Sequence, residues 1–87
     1  MKIAVWDTYV KREDGITMHF DILLSCDVKD EQAIFNFGLD YLKTKSIMSI
    51  EITANECRFC HIEQGTQEMI ASINKKGYAI IEMANCN

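Results

Sequence analysis

From Ile16 to Leu24 the chain reads ITMHFDILL, and this alternation constrains the fold more than any other stretch. Ile16, Met18, Phe20, Ile22 and Leu24 fall on one side of an extended chain; Thr17, His19 and Asp21 fall on the other. A period of two is the signature of a strand with one buried and one polar face. Just before it, KIAVWDTYV from Lys2 to Val10 is rich in β-branched and aromatic residues and reads as another strand. KREDG separates them, with Asp14-Gly15 as a hairpin signal. The chain therefore opens with an antiparallel hairpin.

Helical periodicity follows. Asp27 or Asp30 caps a helix that runs to about Thr44, with Ile34, Phe37, Tyr41 and Leu42 at helical spacing and Phe35 and Leu39 widening the stripe. A third strand falls between Ser49 and Glu63, where Ile50 and Ile52 alternate. Thr66 is a good N-cap for a second helix through Lys76, with Glu68 at its positive end, Met69, Ile70 and Ile73 on its apolar side, and Gly77 as the stop. Tyr78 to Met83, YAIIEM, is apolar enough for a central strand. The expected architecture is α+β: a two-layer sandwich of order β-β-α-β-α-β, with a mixed sheet and both helices on one face. The first strand complicates this. Ile3, Val5 and Tyr9 lie on one side and Ala4, Trp6 and Val10 on the other, so it requires cover on both. Loops or a second copy of the chain would close the face without helices, which makes a homodimer the expected assembly.

Size and charge exclude several functions. The 87 residues form one domain, residues 1–87, with 48% hydrophobic and 25% charged side chains. A net charge of −4 and pI near 5.0 argue against nucleic acid, which demands clustered Lys and Arg. Lys11-Arg12 and Lys75-Lys76 are short pairs at a turn and a helix end. No apolar run approaches a membrane span of roughly 20 residues. The apolar run near the start breaks at Asp7, unlike a secretory signal, so the expected location is cytoplasmic. The glycines, at 15, 38, 65 and 77, are too scattered for a phosphate-binding loop.

Two motifs carry chemistry. The first is ECRFCHIE, Glu56 to Glu63. In a helical turn, started by Thr53-Ala54-Asn55-Glu56 as a capping box, Cys57, Cys60 and His61 would share a face and converge on a metal. In a strand the two cysteines point apart. A zinc site takes four ligands, and here only one Cys-x-x-Cys pair exists, so His19, Cys26 or Cys86 would have to complete it. Absence of a secretory signal sets c-type haem attachment aside and favours free thiols or metal ligands over disulfides. A redox pair needs a low-pKa thiol; Glu56 works against that, and no proline is present to sit opposite the pair. The alternative is that the cysteines are apolar packing residues. The second motif is MHFDI, where His19 and Asp21 share the polar face of their strand and Asp7 on the neighbouring strand could join them. These make an acid–base pair or a solvated strand face. No nucleophile is placed beside His19 by sequence. Trp6 and Tyr9 read as core or interface aromatics.

MKIAVWDTYV, MHFDIL, ECRFCHIE and GYAIIEM, in this order and spacing, resemble the small bacterial proteins of the domain of unknown function 2024 family. The resemblance spans nearly the whole chain, with CRFCH and MHFD its most distinctive parts. It implies a single-domain α+β protein and brings no activity, substrate or catalytic residue.

Three functional readings follow. One is a metal- or thiol-dependent binding module built on Cys57, Cys60 and His61, with His19 or Cys86 from outside and zinc as the cofactor. Another is an interaction domain that dimerises through its sheet and has no catalytic site. The third is a small enzyme using His19 and Asp21.

Overall fold

The computed structural model describes residues 2–86, apart from the side chains of residues 49, 50, 58 and 59. Six elements follow in the expected order: β1 (Ile3–Arg12), β2 (Thr17–Ser25), α1 (Glu31–Thr44), β3 (Ser49–Ile62), α2 (Gln67–Lys76) and β4 (Ala79–Ala84). The fold is α+β, one sheet with two helices.

β1 and β2 form the hairpin, with Trp6 opposite Ile22 and Asp7 opposite Asp21. Gly15 takes φ 85°, and its amide bonds the Arg12 carbonyl at 3.1 Å. A positive φ suits glycine because it lacks a Cβ. Asp14 Oδ1 accepts the Ile16 amide at 3.0 Å.

Asp30 caps α1 by accepting the Gln32 amide at 3.0 Å. Asp27 instead donates its amide to Ser25 Oγ at 3.3 Å, within the preceding turn. Ile34, Gly38, Tyr41 and Leu42 are buried, while Leu39 is 44% exposed. The stripe is thus narrower than expected, because Leu39 falls off the face that meets the sheet. Thr66 caps α2 through the Met69 amide at 3.1 Å, and Gly77 ends it at φ 91°.

The sheet order is β3-β1-β2-β4 and every neighbouring pair is antiparallel. This corrects the expected mixed sheet. β2 and β3, joined through α1, both run against β1 and so share a direction, but β1 lies between them. The tight hairpin leaves only its outer edges free, so β3 adds beside β1 and β4 beside β2. The apolar β4 is accordingly an edge strand, not a central one.

The helices divide the two faces, which corrects their placement on one. Ala4, Trp6, Val10, Met18, Phe20, Ile22 and Leu24 form a cluster with Ile34, Tyr41 and Leu42 of α1. Ile3, Val5 and Leu23, on the other face, pack with Ile73 and Met69 of α2. The two-sided β1 dictates this: each face buries apolar area only if something covers it. The apolar face that motivates a dimer is therefore covered, at Ile3 and Val5, within the chain. Thr8 is fully buried among these groups, and its hydroxyl donates to the Trp6 carbonyl at 3.1 Å. Among the described residues, no helix is long and apolar enough to cross a membrane.

Candidate metal centre on the open sheet face

α2 covers only part of its face. Beyond Val5 and Leu23, the strands carry Asp7 and Tyr9 on β1 and His19 and Asp21 on β2. The hairpin register puts Asp7 directly opposite Asp21 and Tyr9 opposite His19. Asn55 of β3 stands opposite Asp7, and Ile81 of β4 opposite Asp21. The alternation that buries Met18, Phe20 and Ile22 is what turns His19 and Asp21 to this side.

His19 Nε2 lies 3.6 Å from Asp7 Oδ1 and 3.7 Å from Asp21 Oδ1. Ligand atoms from the three side chains all lie within 4.8 Å of one another. The two distances from His19 Nε2 are too long for hydrogen bonds. They come near the roughly 3.3 Å that separates ligand atoms sharing one tetrahedral ion. Among the described residues, three buried side-chain polar atoms lack a hydrogen-bond partner, and two are His19 Nε2 and Asp21 Oδ1. The third is Trp6 Nε1, on the opposite face. Tyr9 stacks on His19 with centroids 4.3 Å apart and planes 6° from parallel, which holds the imidazole in place.

The electrostatics are unfavourable. Like charges directly opposite on adjacent strands destabilise a sheet. Burial raises the pKa of Asp21 above the ordinary 3.8, hydrogen bonding and charge repulsion from Asp7 raise it further, and His19 pulls it back. A bound cation would relieve both the repulsion and the unpaired atoms. The same three groups could also exchange a proton, with Asp21 and Asp7 orienting the imidazole.

The cysteine motif takes a different form. Cys57 and Cys60 are joined as a disulfide, with Cα atoms 5.3 Å apart. This corrects the expectation of free thiols or zinc ligands. The segment is strand, not a helical turn, yet the two residues do not point apart as in a flat strand. Between the pairs Val5–Cys57 and Ile3–Ile62, two steps along β1 face five along β3. This bulge draws together two residues that a regular strand would hold about 10 Å apart. His61 Nε2 contacts Glu56 Oε2 at 3.2 Å. Cys86 is buried in the cluster with Trp6 and Phe20, and its thiol donates to the His19 carbonyl at 3.3 Å. Cys57 packs in the cluster on the other face. Cys57, Cys60, His61 and Cys86 thus do not converge on one ion. Ile50, expected to alternate with Ile52, has its side chain outside the described residues.

A groove of about 590 Å³ lies along the β4 edge, between the end of α1 and α2. Its polar corner is a closed network: Lys45 Nζ meets Glu82 at 2.8 Å and the Tyr41 hydroxyl donates to the same carboxylate.

Fold and site together define a small α+β domain whose open sheet face carries a carboxylate–histidine cluster. Residues 1–83 match the family described as Domain of unknown function (DUF2024), and the chain belongs to that family. It is similar to the NMR structure of protein NE1680 from Nitrosomonas europaea, at 36% identity and a TM-score of 0.77, over 100% of both chains. Comparison with curated proteins finds no match. Neither the family nor this neighbour comes with an activity.

Proposed function

We propose that the protein is a divalent-cation-binding module whose ligands are Asp7, His19 and Asp21. One observation carries the reading: two aspartates directly opposed across the central strands, with a histidine nitrogen 3.6 and 3.7 Å from them and no hydrogen bond satisfying it among the described residues. An arrangement that costs stability without a ligand is what a binding site predicts. Imidazole with two carboxylates suits first-row ions such as Mn²⁺ and Zn²⁺, and three protein ligands leave positions for water or a small anion. This reading differs from a site built on the cysteine motif: His19 keeps a place in the ligand set and the cysteines do not.

Manganese is the discriminating probe, because thiolates bind it poorly. Titration with Mn²⁺ should broaden the NMR signals of His19, Tyr9 and Asn55 first, at about one ion per chain. His19→Ala and Asp21→Asn should each weaken binding by on the order of 100-fold. No broadening at millimolar Mn²⁺, or broadening that persists in both variants, would sink the reading.

A further inference from the structure

We infer that Cys57–Cys60 is a thiol-exchange site, a disulfide that opens and closes by reaction with external thiols. It shares no residue with the Asp7–His19–Asp21 cluster and stands independently of the metal reading.

Position is the first argument. β3 is an edge strand, so no strand covers the outer side of the bulge. Cys60 is exposed, while Cys57 is half-buried against the cluster of Ile3 and Val5. An incoming thiolate therefore reaches the Cys60 sulfur more readily than that of Cys57.

The bond's small structural part is the second. A disulfide stabilises chiefly by closing a loop in the unfolded chain, and the effect grows with loop length. Only two residues lie between these cysteines. The two apolar clusters and the antiparallel ladder close the fold without it. A bond that contributes so little to folding is free to open.

The third is preorganisation. The bulge sets a Cα separation of 5.3 Å, within the range that a disulfide spans. Glu56 and His61, the residues immediately outside the pair, contact each other at 3.2 Å. This second clip keeps the ends of the segment together when the disulfide opens, so the thiols stay close enough to re-form it. The contact also engages the Glu56 carboxylate, whose negative charge beside Cys57 otherwise opposes thiolate formation.

The chemistry balances in two steps. An external thiolate attacks Cys60 Sγ; the new S–S bond forms as the Cys57–Cys60 bond breaks, and the electron pair leaves on Cys57 Sγ, which takes a proton from water. A second external thiolate then attacks the outer sulfur of the mixed disulfide and releases Cys60 as a thiolate. Two external thiols are oxidised to one disulfide and the protein pair is reduced by two electrons. The reverse reaction oxidises the pair with an external disulfide.

The test equilibrates the whole chain in glutathione buffers of graded ratio, followed by acid quench, alkylation and peptide mass mapping. Cys57 and Cys60 should pass together from disulfide to dithiol within that range, with circular dichroism unchanged. In Cys57→Ser, oxidised glutathione should cap Cys60 about tenfold faster than buried Cys86. A pair that stays oxidised in reduced glutathione until denaturant is added would be structural, and the inference fails. A pair that stays reduced in oxidised glutathione overturns it equally. The wild-type measurement decides even where Cys57→Ser does not fold.

Discussion

Asp21 carries opposing demands. Its side chain is only 14% exposed, it faces Asp7 across the hairpin, and its Oδ1 has no hydrogen-bond partner among the described residues. A carboxyl whose pKa is raised on folding contributes stability below its unfolded value and loses it as pH rises through the folded one. Ionising Asp21 therefore opposes folding. Asp21→Asn removes one of the two opposed charges at almost constant volume. We expect the metal-free variant to be more stable than wild type at pH 7 by about 0.2–1 kcal/mol. The difference should vanish below the ordinary carboxylate pKa of 3.8, where both chains carry a neutral group. Urea denaturation at several pH values measures it, and a less stable variant at pH 7 would contradict the strain. Added Mn²⁺ should reverse the order, because the wild type binds it far more tightly and gains more from it. A local rule broken in the middle of a sheet points to function more than an exposed acidic residue does. MHFDI showed in sequence that His19 and Asp21 share a face. It did not show that Asp7 sits opposite Asp21, because register depends on the length of the turn between the strands.

The ends of α2 were legible because each carries its own chemical signal. Thr66, Gly77 and the acidic and basic ends of α2 all stand where the residues placed them. Thr66→Ala removes the acceptor for the Met69 amide and should cost about 1 kcal/mol. That loss should appear as a lower urea midpoint with an unchanged slope. β3 was the least legible element. Thr53 to Glu56 fits a capping box, yet this stretch pairs with Tyr9, Thr8, Asp7 and Trp6 of β1. Ladder hydrogen bonds and cover from β1 outweighed a local preference that only a free segment could express. The bulge that brings Cys57 and Cys60 together has no sequence mark of its own, since it arises from a mismatch between two strands. β4 misled in another way. Its apolar run reflects cover from both helical layers, and cover does not require a strand on each side.

At the scale of the whole molecule, α1 and β4 are tied across 41 positions of sequence by the Tyr41 hydroxyl and Glu82, with Lys45 completing the network. Phe37 stacks on Tyr78 at 5.1 Å, and the Tyr78 hydroxyl donates to Asp40 at 2.6 Å, so the start of β4 is pinned as well. The hydrogen bonds from Lys45 and then Tyr41 lower the pKa of Glu82 below the ordinary 4.5. A lowered carboxyl contributes stability above its unfolded pKa and loses it as pH falls through the folded one. Tyr41→Phe should thus cost about 1 kcal/mol at pH 7, and the deficit should shrink below about pH 4. Thermal unfolding across that range checks it. A deficit independent of pH would show that the Glu82 charge does not carry the loss.

The order of elements, the hairpin, the two ends of α2 and the polar side of β2 were determined by the sequence itself. They rest on local causes: side-chain period, cap chemistry and the glycines at turn and helix end. The tertiary structure alone decided the antiparallel sheet order, the helices on opposite faces, the Asp7–Asp21 opposition and the Cys57–Cys60 closure. Each of these depends on which strand lies beside which and in what register. That choice is settled by burying both faces of β1 at once, a condition no single segment can state.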